Sequence, residues 1–172
     1  MRRVRYSVAM SLDGFIAGPK GESDWIVMDP DLDFSALWAQ FDTLLMGRKT
    51  YEAAVARLGL SMMKGKRIVV ASRTLNPKDH PEVTVVPDLT KAEMKALRKQ
   101  GSKDIWLMGG GVLFKHLLSL REVDSVEVTT IPVLLSAGVP LLPPIQERVA
   151  LKLEMHKVYR SSIVSLAYGV QY

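Results

Sequence analysis

Three short segments of the sequence combine glycine, hydroxyl and cationic residues in a way that suits an anionic ligand. They are Gly109-Gly110-Gly111, Gly47-Arg48-Lys49-Thr50 and Ser72-Arg73. Consecutive glycines let the backbone adopt positive φ and approach a ligand closely, because no Cβ stands in the way. Arginine, lysine and hydroxyl side chains donate hydrogen bonds to phosphate oxygens. The chemistry that these residue types favour is therefore phosphate binding.

An apolar run precedes each segment, and this arrangement predicts how the fold positions them. Residues 105–108 read as a strand that opens directly into the three glycines, and residues 112–118 then follow a helical apolar spacing. Residues 43–46 and 67–71 are strand-like runs that precede the other two segments. A helix N-terminus offers unpaired N–H groups and the positive end of the helix dipole to a phosphate. The alternative at each position is a tight turn without a ligand.

Strands alternate with short helices along most of the sequence. Residues 149–158 and 162–170 then form two strands of a closing hairpin. This order predicts an α/β fold with a mainly parallel central sheet and an antiparallel C-terminal hairpin. In such sheets ligands bind outside the carboxyl ends of the strands. Three phosphate contacts there indicate a phosphorylated dinucleotide, although Gly-Gly-Gly-Val lacks the spacing of the usual dinucleotide fingerprint.

Aspartates in the first third of the sequence are candidates for contact with a substrate. Residues 29–33 contain three aspartates before an amphipathic stretch, so one of them is expected to cap a helix. Asp33 precedes Leu37 by four residues and shares its helix face. A carboxylate on an inner face is costly to bury unless it is paired or functional. If this helix lines a pocket, Asp33 and Leu37 contact the substrate, and Asp33 holds it or relays a proton.

Residues 10–21 have the character of an active-site flap, because an apolar hook is followed by a polar, glycine-rich loop. Asp13 either contacts the substrate as part of this flap or makes an ordinary Asx-turn with Gly14. Trp25 follows the loop and either covers a flat ligand or anchors the loop to the core.

Composition limits the class of protein. The 172 residues, 48% apolar and 24% charged, predict a single globular domain over residues 1–172. No apolar run approaches the ~20 residues of a membrane span and no secretory segment is recognisable, so we expect a cytoplasmic protein. Without cysteine there is no disulfide or thiolate metal site, and no metal is expected. The charge of +5 is scattered without interleaved aromatics, which argues against a nucleic-acid partner.

Four motifs in order resemble the dihydrofolate reductase-like superfamily over nearly the whole sequence. Met-Gly-Arg-Lys-Thr-Tyr-Glu at 46–52, Ala-Ser-Arg at 71–73 and Met-Gly-Gly-Gly at 108–111 resemble dihydrofolate reductase. Met-Ser-Leu-Asp-Gly-Phe-Ile-Ala at 10–17, followed by Gly-Glu-Ser-Asp-Trp-Ile, resembles the reductase domain of the bifunctional riboflavin biosynthesis deaminase-reductase. Together they are typical of stand-alone bacterial proteins similar to that domain. The resemblance implies a three-layer α/β/α fold with about eight strands in the central sheet.

The resemblance also implies NADPH as the cofactor. Carried over by position, residues 47–50 would bind phosphates, Ser72 and Arg73 would meet the 2′-phosphoribose, and residues 109–113 would hold the pyrophosphate. Val8, Ala9, Ile16 and Phe114 would lie near the nicotinamide. The full predicted cofactor site comprises Val8, Ala9, Ile16, Gly47, Arg48, Lys49, Thr50, Ser72, Arg73, Met108, Gly109, Gly110, Gly111, Val112, Leu113 and Phe114.

The activity implied is NADPH-dependent hydride transfer to a pyrimidine- or pteridine-type heterocycle. The 5-amino-6-(5-phosphoribosylamino)uracil reductase is our first choice, dihydrofolate reductase the alternative, and a non-catalytic nucleotide-binding protein the alternative of another class. Riboflavin reductases typically continue with Gly-x-x-Thr…Asp-Asp-Pro where this sequence has Gly-Arg-Lys-Thr-Tyr-Glu. Dihydrofolate reductases carry a catalytic carboxylate on the first helix, several residues before a strand like 43–46. The connection between helix and strand is shorter in this sequence, so Asp33 is the best match for that carboxylate and Asp31 is the alternative. The family also implies a homodimer formed through the C-terminal strands.

Overall fold

An eight-stranded sheet forms the centre of the computed structural model, which describes residues 1–172 except for the side chain of Leu58. The strands are β1 (Val4–Ser11), β2 (Phe15–Ala17), β3 (Phe41–Gly47), β4 (Arg67–Ala71), β5 (Thr84–Val86), β6 (Asp104–Gly109), β7 (Ser125–Ile131), β8 (Val139–Pro140), β9 (Ala150–Val158) and β10 (Val164–Gln171). The helices are α1 (Phe34–Ala39), α2 (Arg48–Leu58), α3 (Lys91–Lys99) and α4 (Gly111–Ser119), with a 3-10 helix at Leu60–Met63.

The strand order in the sheet is β5-β4-β3-β6-β1-β7-β10-β9. All pairs from β5 to β7 are parallel. Strand β10 runs antiparallel to both β7 and β9. The predicted mainly parallel sheet of about eight strands with an antiparallel C-terminal hairpin is thereby confirmed.

Helices cover the two sheet faces unequally. On one face, α3 and α4 pack Met94, Leu117 and their neighbours against Tyr6 and Leu107 in a large apolar cluster. On the other face, α1, α2 and the 3-10 helix cover β3, β4 and β6, with Tyr51 buried in a second cluster. Among the described side chains, β1, β7 and β10 contribute none to this second cluster. Their side chains on that face are therefore left to line a cleft.

Local sequence signals account for several helix starts. Thr90 and Glu93 form a reciprocal capping box at the start of α3. Of the three aspartates in residues 29–33, Asp33 caps α1. None of the helices described is long and apolar enough to span a membrane.

The segment around Pro140 differs from expectation. Its prolines predict a rigid loop, yet Val139–Pro140 pairs with β2 as the short strand β8. A two-residue strand carries too little alternation to be recognised from sequence, and the proline occupies an edge position where it need not donate a ladder hydrogen bond.

Candidate cofactor and substrate site

The three glycine, hydroxyl and cationic segments lie side by side at the carboxyl ends of adjacent parallel strands. Strand β3 lies between β4 and β6, and the register pairs Gly47 with Ala71 and Met46 with Gly109. The chain therefore leaves the sheet on the same side, at the carboxyl ends of the strands, at Gly47-Arg48, Ser72-Arg73 and the glycine turn. We call the set of segments 47–50, 72–73 and 109–111 the glycine edge.

Two helices begin at the glycine edge with glycine as the N-cap. Helix α2 follows Gly47 and α4 follows Gly110, and neither glycine provides a side-chain cap. The first N–H groups of a helix have no intrahelical partner, so both helix starts remain available to an anion. A Cβ placed on Gly110 would lie 3.8 Å from Thr50 Oγ1. The backbone of one helix start and the hydroxyl of the other therefore border the same small space.

The three consecutive glycines meet different requirements. Gly109 has φ of +119°, a conformation that residues with a side chain rarely adopt. At Gly110, a Cβ would meet no atom closer than the 3.8 Å to Thr50. At Gly111 it would lie 2.8 Å from Pro143 Cδ and 3.0 Å from the Pro140 carbonyl oxygen, so the chain of the 140–143 segment excludes any side chain. The Gly109–Gly110 peptide bond is cis.

Two cations of the glycine edge, Arg48 and Arg73, are held in surface ion pairs. Arg48 Nη1 lies 2.9 Å from Glu52 Oε1, and both side chains are almost half exposed. Arg73 pairs with Asp88, and both are well exposed. Exposed pairs of this kind contribute about 0–1 kcal/mol, so a phosphate can replace the carboxylate at low cost. The Oγ of Ser72 instead accepts from the N–H groups of Thr74 and Leu75 and shapes the turn after β4.

The residues predicted to lie near the nicotinamide differ in how deeply they are buried. Val8 and Ala9 lie half-buried in the central strand β1, and Ile16 is half-buried in β2. Phe114 is only 3% exposed, and its ring stacks on Tyr6 with centroids 3.8 Å apart. Its side chain therefore belongs to the core beneath α4 and does not form part of an open surface.

The remaining members of the predicted cofactor site are also placed. Leu113 is buried, Val112 is 77% exposed at the start of α4, and Lys49 is exposed on α2. Met108 packs against the second apolar cluster. The side chains at positions 108 and 113 therefore belong to the apolar packing.

Asp33 and Leu37 line a cavity of about 130 Å³ on the same sheet face as α1 and α2, over β1, β7 and β10, which α2 does not cover. Asp33 is exposed, and its Oδ1 accepts the Ala36 N–H at 2.8 Å as the N-cap of α1. Asp31 does not line this cavity. Asp29 is buried and accepts the N–H groups of Asp31 and Ser161. A hydrogen bond from the Ser161 side chain, followed by the one from the Asp31 N–H, lowers the pKa of Asp29.

The rest of this cavity, which we call the sheet-face cavity, was not predicted from sequence. Its other lining residues include Ser7, Glu127, Thr129, Met155, Tyr159 and Ser165. The register of β1 and β7 pairs Ser7 with Glu127, and β10 places Ser165 opposite Thr129. A signal was present, because polar residues alternate at positions 5 and 7 and again at 125, 127 and 129. Alternation of this kind marks a sheet face that borders water or a ligand.

The two candidate residues of the flap region, Asp13 and Trp25, make hydrogen bonds within loops of the protein. Asp13 accepts a hydrogen bond from Ser11 Oγ at 2.7 Å and from the N–H groups of Leu135 and Ser136. These bonds, led by that from Ser11, lower the pKa of Asp13 and fix its carboxylate against the 134–136 loop. Trp25 is half-buried, and its Nε1 donates to the Glu22 carbonyl oxygen at 3.1 Å.

A second cavity of about 150 Å³ lies elsewhere, between α3 and the edge strands β4 and β5. Arg67, Thr84 and Gln100 are among its lining residues, and Arg67 and Thr84 begin their strands. It therefore opens away from the glycine edge, and we do not assign it to the candidate site.

Comparison with known protein families identifies the family of this chain. The family model of the RibD C-terminal domain matches residues 2–165. The chain belongs to this family. The resemblance to a stand-alone protein similar to the riboflavin reductase domain is thereby confirmed.

Two proteins are similar to this chain over nearly their full length, and a third is similar over 57% of its own length. The uncharacterized Bacillus subtilis (strain 168) protein YyaP is 33% identical over 178 residues, covering 97% of this chain and 94% of YyaP. A putative riboflavin biosynthesis protein from Shewanella sp. PV-4 has 25% identity and a TM-score of 0.85, with both chains fully covered. The Thermotoga maritima diaminohydroxyphosphoribosylaminopyrimidine deaminase/5-amino-6-(5-phosphoribosylamino)uracil reductase shares the fold, with 17% identity, a TM-score of 0.72 and coverage of 99% of this chain and 57% of its own.

Proposed function

We propose that this member of the RibD C-terminal domain family is an NADPH-dependent reductase that acts on a pyrimidine- or pteridine-type heterocycle. The main support is the pair of glycine-capped helix starts at adjacent strand ends, where Thr50 Oγ1 borders Gly110. Two such starts beside the exposed Arg73 match a ligand that carries a pyrophosphate and one further phosphate. The first substrate to test is 5-amino-6-(5-phosphoribosylamino)uracil, because family membership favours it over folate.

The residues of the glycine edge suit NADPH by position. The amides that begin α4 would hold the pyrophosphate, with the Thr50 hydroxyl opposite, and Arg73 would exchange Asp88 for the 2′-phosphate. When bound, NADPH supplies a hydride. Val8 and Ala9 lie on the strand that connects the glycine edge with the sheet-face cavity, so the two ligands would meet over β1.

Reduction of a carbon–nitrogen double bond adds a hydride to carbon and a proton to nitrogen. Asp33 is the carboxylate from α1 that lines the sheet-face cavity, so we propose that it holds the substrate and guides that proton. Asp13 would keep the flap in place through its bonds to the 134–136 loop, without a direct part in the chemistry.

We further propose a cytoplasmic homodimer formed through the C-terminal strands. Strand β9 ends the sheet and is exposed along its whole length. Leu151, Leu153 and Met155 on this strand are each nearly half exposed. A second copy would bury these side chains, and sedimentation analysis of the purified protein tests this proposal.

Calorimetric titration with NADPH and NADH tests the cofactor assignment. We expect NADPH to bind more tightly than NADH. Arg73→Ala should weaken NADPH binding about tenfold, the effect of losing one charge-assisted hydrogen bond, and leave NADH unchanged. Arg67→Ala is the matched control, because Arg67 begins the same strand at the opposite end and should leave both affinities unchanged.

Turnover is measured as NADPH oxidation with 5-amino-6-(5-phosphoribosylamino)uracil and, separately, with dihydrofolate. Oxidation that depends on one of these heterocycles supports a reductase. If neither dinucleotide binds, the proposal of a nucleotide-dependent enzyme is wrong. If NADPH binds but no heterocycle is reduced, the protein is a nucleotide-binding protein without this activity.

A further inference from the structure

Asp88 occupies the side chain that the proposed function assigns to the 2′-phosphate. Both Nε and Nη2 of Arg73 donate to Asp88 Oδ1, and the bond from Nε measures 2.8 Å. Strands β4 and β5 end side by side, because Ala71 pairs with Val86 and the Ser72 N–H donates to the Val86 carbonyl oxygen at 3.1 Å. Arg73 lies just beyond the end of β4, and Asp88 lies just beyond the end of β5. A ligand group that reaches Arg73 therefore also meets Asp88.

The backbone that carries Asp88 is held in place by its neighbours. Leu89 is only 4% exposed and packs in the large apolar cluster. The Leu89 carbonyl oxygen lies 2.7 Å from His116 Nε2, and this ring nitrogen is the donor because a carbonyl oxygen only accepts. His116 belongs to α4, the helix that begins at the glycine turn, and Thr90 caps α3. Because aspartate has a short side chain, its carboxylate stays close to Arg73 when a ligand binds.

A 2′-phosphate must displace the Asp88 carboxylate before it can bind Arg73. Both side chains are well exposed, so the ion pair itself is weak and the exchange is possible. The displaced carboxylate nevertheless remains beside the phosphate, and a phosphate monoester carries about −1.5 to −2 charges at neutral pH. Like charges a few ångströms apart repel each other even in water. Asp88 therefore opposes NADPH binding both by competition for Arg73 and by repulsion of the phosphate.

A ribose 2′-hydroxyl meets the same ion pair without this conflict. In the described structure, Asp88 Oδ2 has no hydrogen-bond partner, so it can accept from the hydroxyl while Oδ1 keeps Arg73. In dinucleotide sites an acidic residue accepts from the 2′-hydroxyl of NAD, whereas an arginine accommodates the 2′-phosphate of NADP. Here an acidic residue and an arginine are both present and are bound to each other. The pair therefore suits the two cofactors more equally than Arg73 alone would.

We propose that Asp88 is a specificity-determining residue that narrows the preference of this protein for NADPH over NADH. It acts through Arg73, which it occupies whenever the cofactor carries no 2′-phosphate. Arg73 remains the residue that favours NADPH, and Asp88 limits how far that preference extends. This role rests on the proposed function, because it requires a dinucleotide at the glycine edge.

Calorimetric titration of the wild type and Asp88→Asn with NADPH and with NADH tests this role. We expect Asp88→Asn to raise the ratio of the NADH dissociation constant to the NADPH dissociation constant about tenfold, because one competing negative charge is removed. Most of the change should be tighter NADPH binding, since the asparagine oxygen still accepts from a 2′-hydroxyl. The fold should be kept, because Thr90 rather than Asp88 caps α3, and circular dichroism measures this.

Glu52→Gln is the matched control. Glu52 pairs with Arg48, and both side chains are almost half exposed, so this acid also neutralises one arginine of the glycine edge. Residues 47–50 are assigned to phosphates that NADPH and NADH share, so Glu52→Gln should change both affinities equally and leave their ratio unchanged. Asp88→Asn combined with Arg73→Ala completes a double-mutant cycle. In that background Asp88→Asn should raise NADPH affinity less than it does alone, because the competition for Arg73 is already absent.

Three results would overturn the proposal. They are an unchanged ratio in folded Asp88→Asn, an equal change of the ratio in Glu52→Gln, and an equal gain of NADPH affinity with and without Arg73. If the wild type binds neither dinucleotide, the proposed function is rejected together with this role of Asp88. If the wild type binds both dinucleotides but reduces no heterocycle, the reductase is rejected, and the ratio still decides the role of Asp88.

Discussion

The glycine edge and the sheet-face cavity lie on neighbouring parts of one sheet but are built by opposite means. At the glycine edge, backbone amides and absent side chains create the binding surface, and each of its segments is continuous in sequence. At the sheet-face cavity, side chains from α1, β1, β7, β9 and β10 create the surface. The glycine edge therefore depends on the path of the backbone, whereas the sheet-face cavity depends on the identity of the side chains that line it.

Because of this difference, we expect the glycine edge and the sheet-face cavity to respond differently to substitutions. A backbone surface is more sensitive to an added Cβ than to the exchange of one exposed side chain such as Arg73. A side-chain surface can change its specificity by single substitutions while the strands beneath it stay unchanged. We therefore expect cofactor binding to be retained across relatives of this chain while the substrate changes. The following substitutions test that separation, from the largest expected effect to the smallest.

Gly110→Val should have the largest effect. The valine side chain would fill the space between the start of α4 and Thr50, so we expect NADPH affinity to fall at least about 100-fold, equivalent to losing one or two charge-assisted hydrogen bonds. The fold should be kept, because Gly110 has φ of −95° and a Cβ there meets only the Thr50 hydroxyl. Calorimetry with NADPH and circular dichroism measure the two quantities. Unchanged NADPH affinity in a folded variant would contradict the assignment of the pyrophosphate site.

Gly111→Ala, one residue further on, should instead lower the stability of the fold. Its Cβ would lie 2.8 Å from Pro143 Cδ, and relieving this contact should cost about 1–3 kcal/mol of unfolding free energy. Urea denaturation measures this loss as a lower midpoint. Comparison with Gly110→Val separates a glycine needed for packing from one needed for ligand access. If both variants were equally stable, the 140–143 segment would not be in contact with the glycine turn.

Asp42→Asn should have the smallest effect on ligand binding, because it lowers only the stability of the fold, and does so above about pH 4. Burial alone would raise the Asp42 pKa, but hydrogen bonds from the N–H groups of Lys103 and Ser102 and the charge of Arg2 outweigh it and lower the pKa. Because the folded pKa lies below the unfolded one, this carboxylate stabilises the fold above about pH 4, and its contribution disappears as the pH falls through the folded pKa.

The measurement for Asp42→Asn is the urea midpoint as a function of pH. The wild type should lose stability on acidification more steeply than the variant. NADPH affinity at neutral pH should be the same in both proteins, because Asp42 lies near the start of β3, at the end of the strand opposite the glycine edge. A change in NADPH affinity would show that the two ends of β3 are coupled and would weaken the separation described above.

The sequence was sufficient for the fold and for the arrangement of the glycine edge, because the signals are local. An apolar run followed by Gly109-Gly110-Gly111, or by Gly47 and two cations, marks a strand end and a helix start within a few residues. The parallel order then brings these ends together. The packing reason for Gly111 was not predictable, since it depends on Pro140 and Pro143, some 30 residues away.

The sequence shows the alternating polar residues of the cavity wall, but it does not show which of them become neighbours. Ser7, Glu127 and Ser165 become neighbours only through the register of β1 with β7 and of β7 with β10. A shift of one residue in either pairing would turn these side chains to the opposite face. Asp33 was found because its signal, a carboxylate four residues before an apolar residue on a helix, is local. The sequence also predicts that one of the aspartates at 29–33 caps a helix, and Asp33 caps α1.

The position of β1 in the sheet has a consequence for how the chain folds. Strand β1 is the first to leave the ribosome, yet it pairs with β6 and β7, with Val4 opposite Ile105 and Arg5 opposite Ser125. Loops of more than 100 residues must therefore close before the central strand is in place, and closure of such long loops slows folding. Synthesis must pass residue 131 before β1 can be enclosed on both sides. Until then the apolar side chains of β1 lack the strands that cover them, which favours aggregation of the incomplete chain.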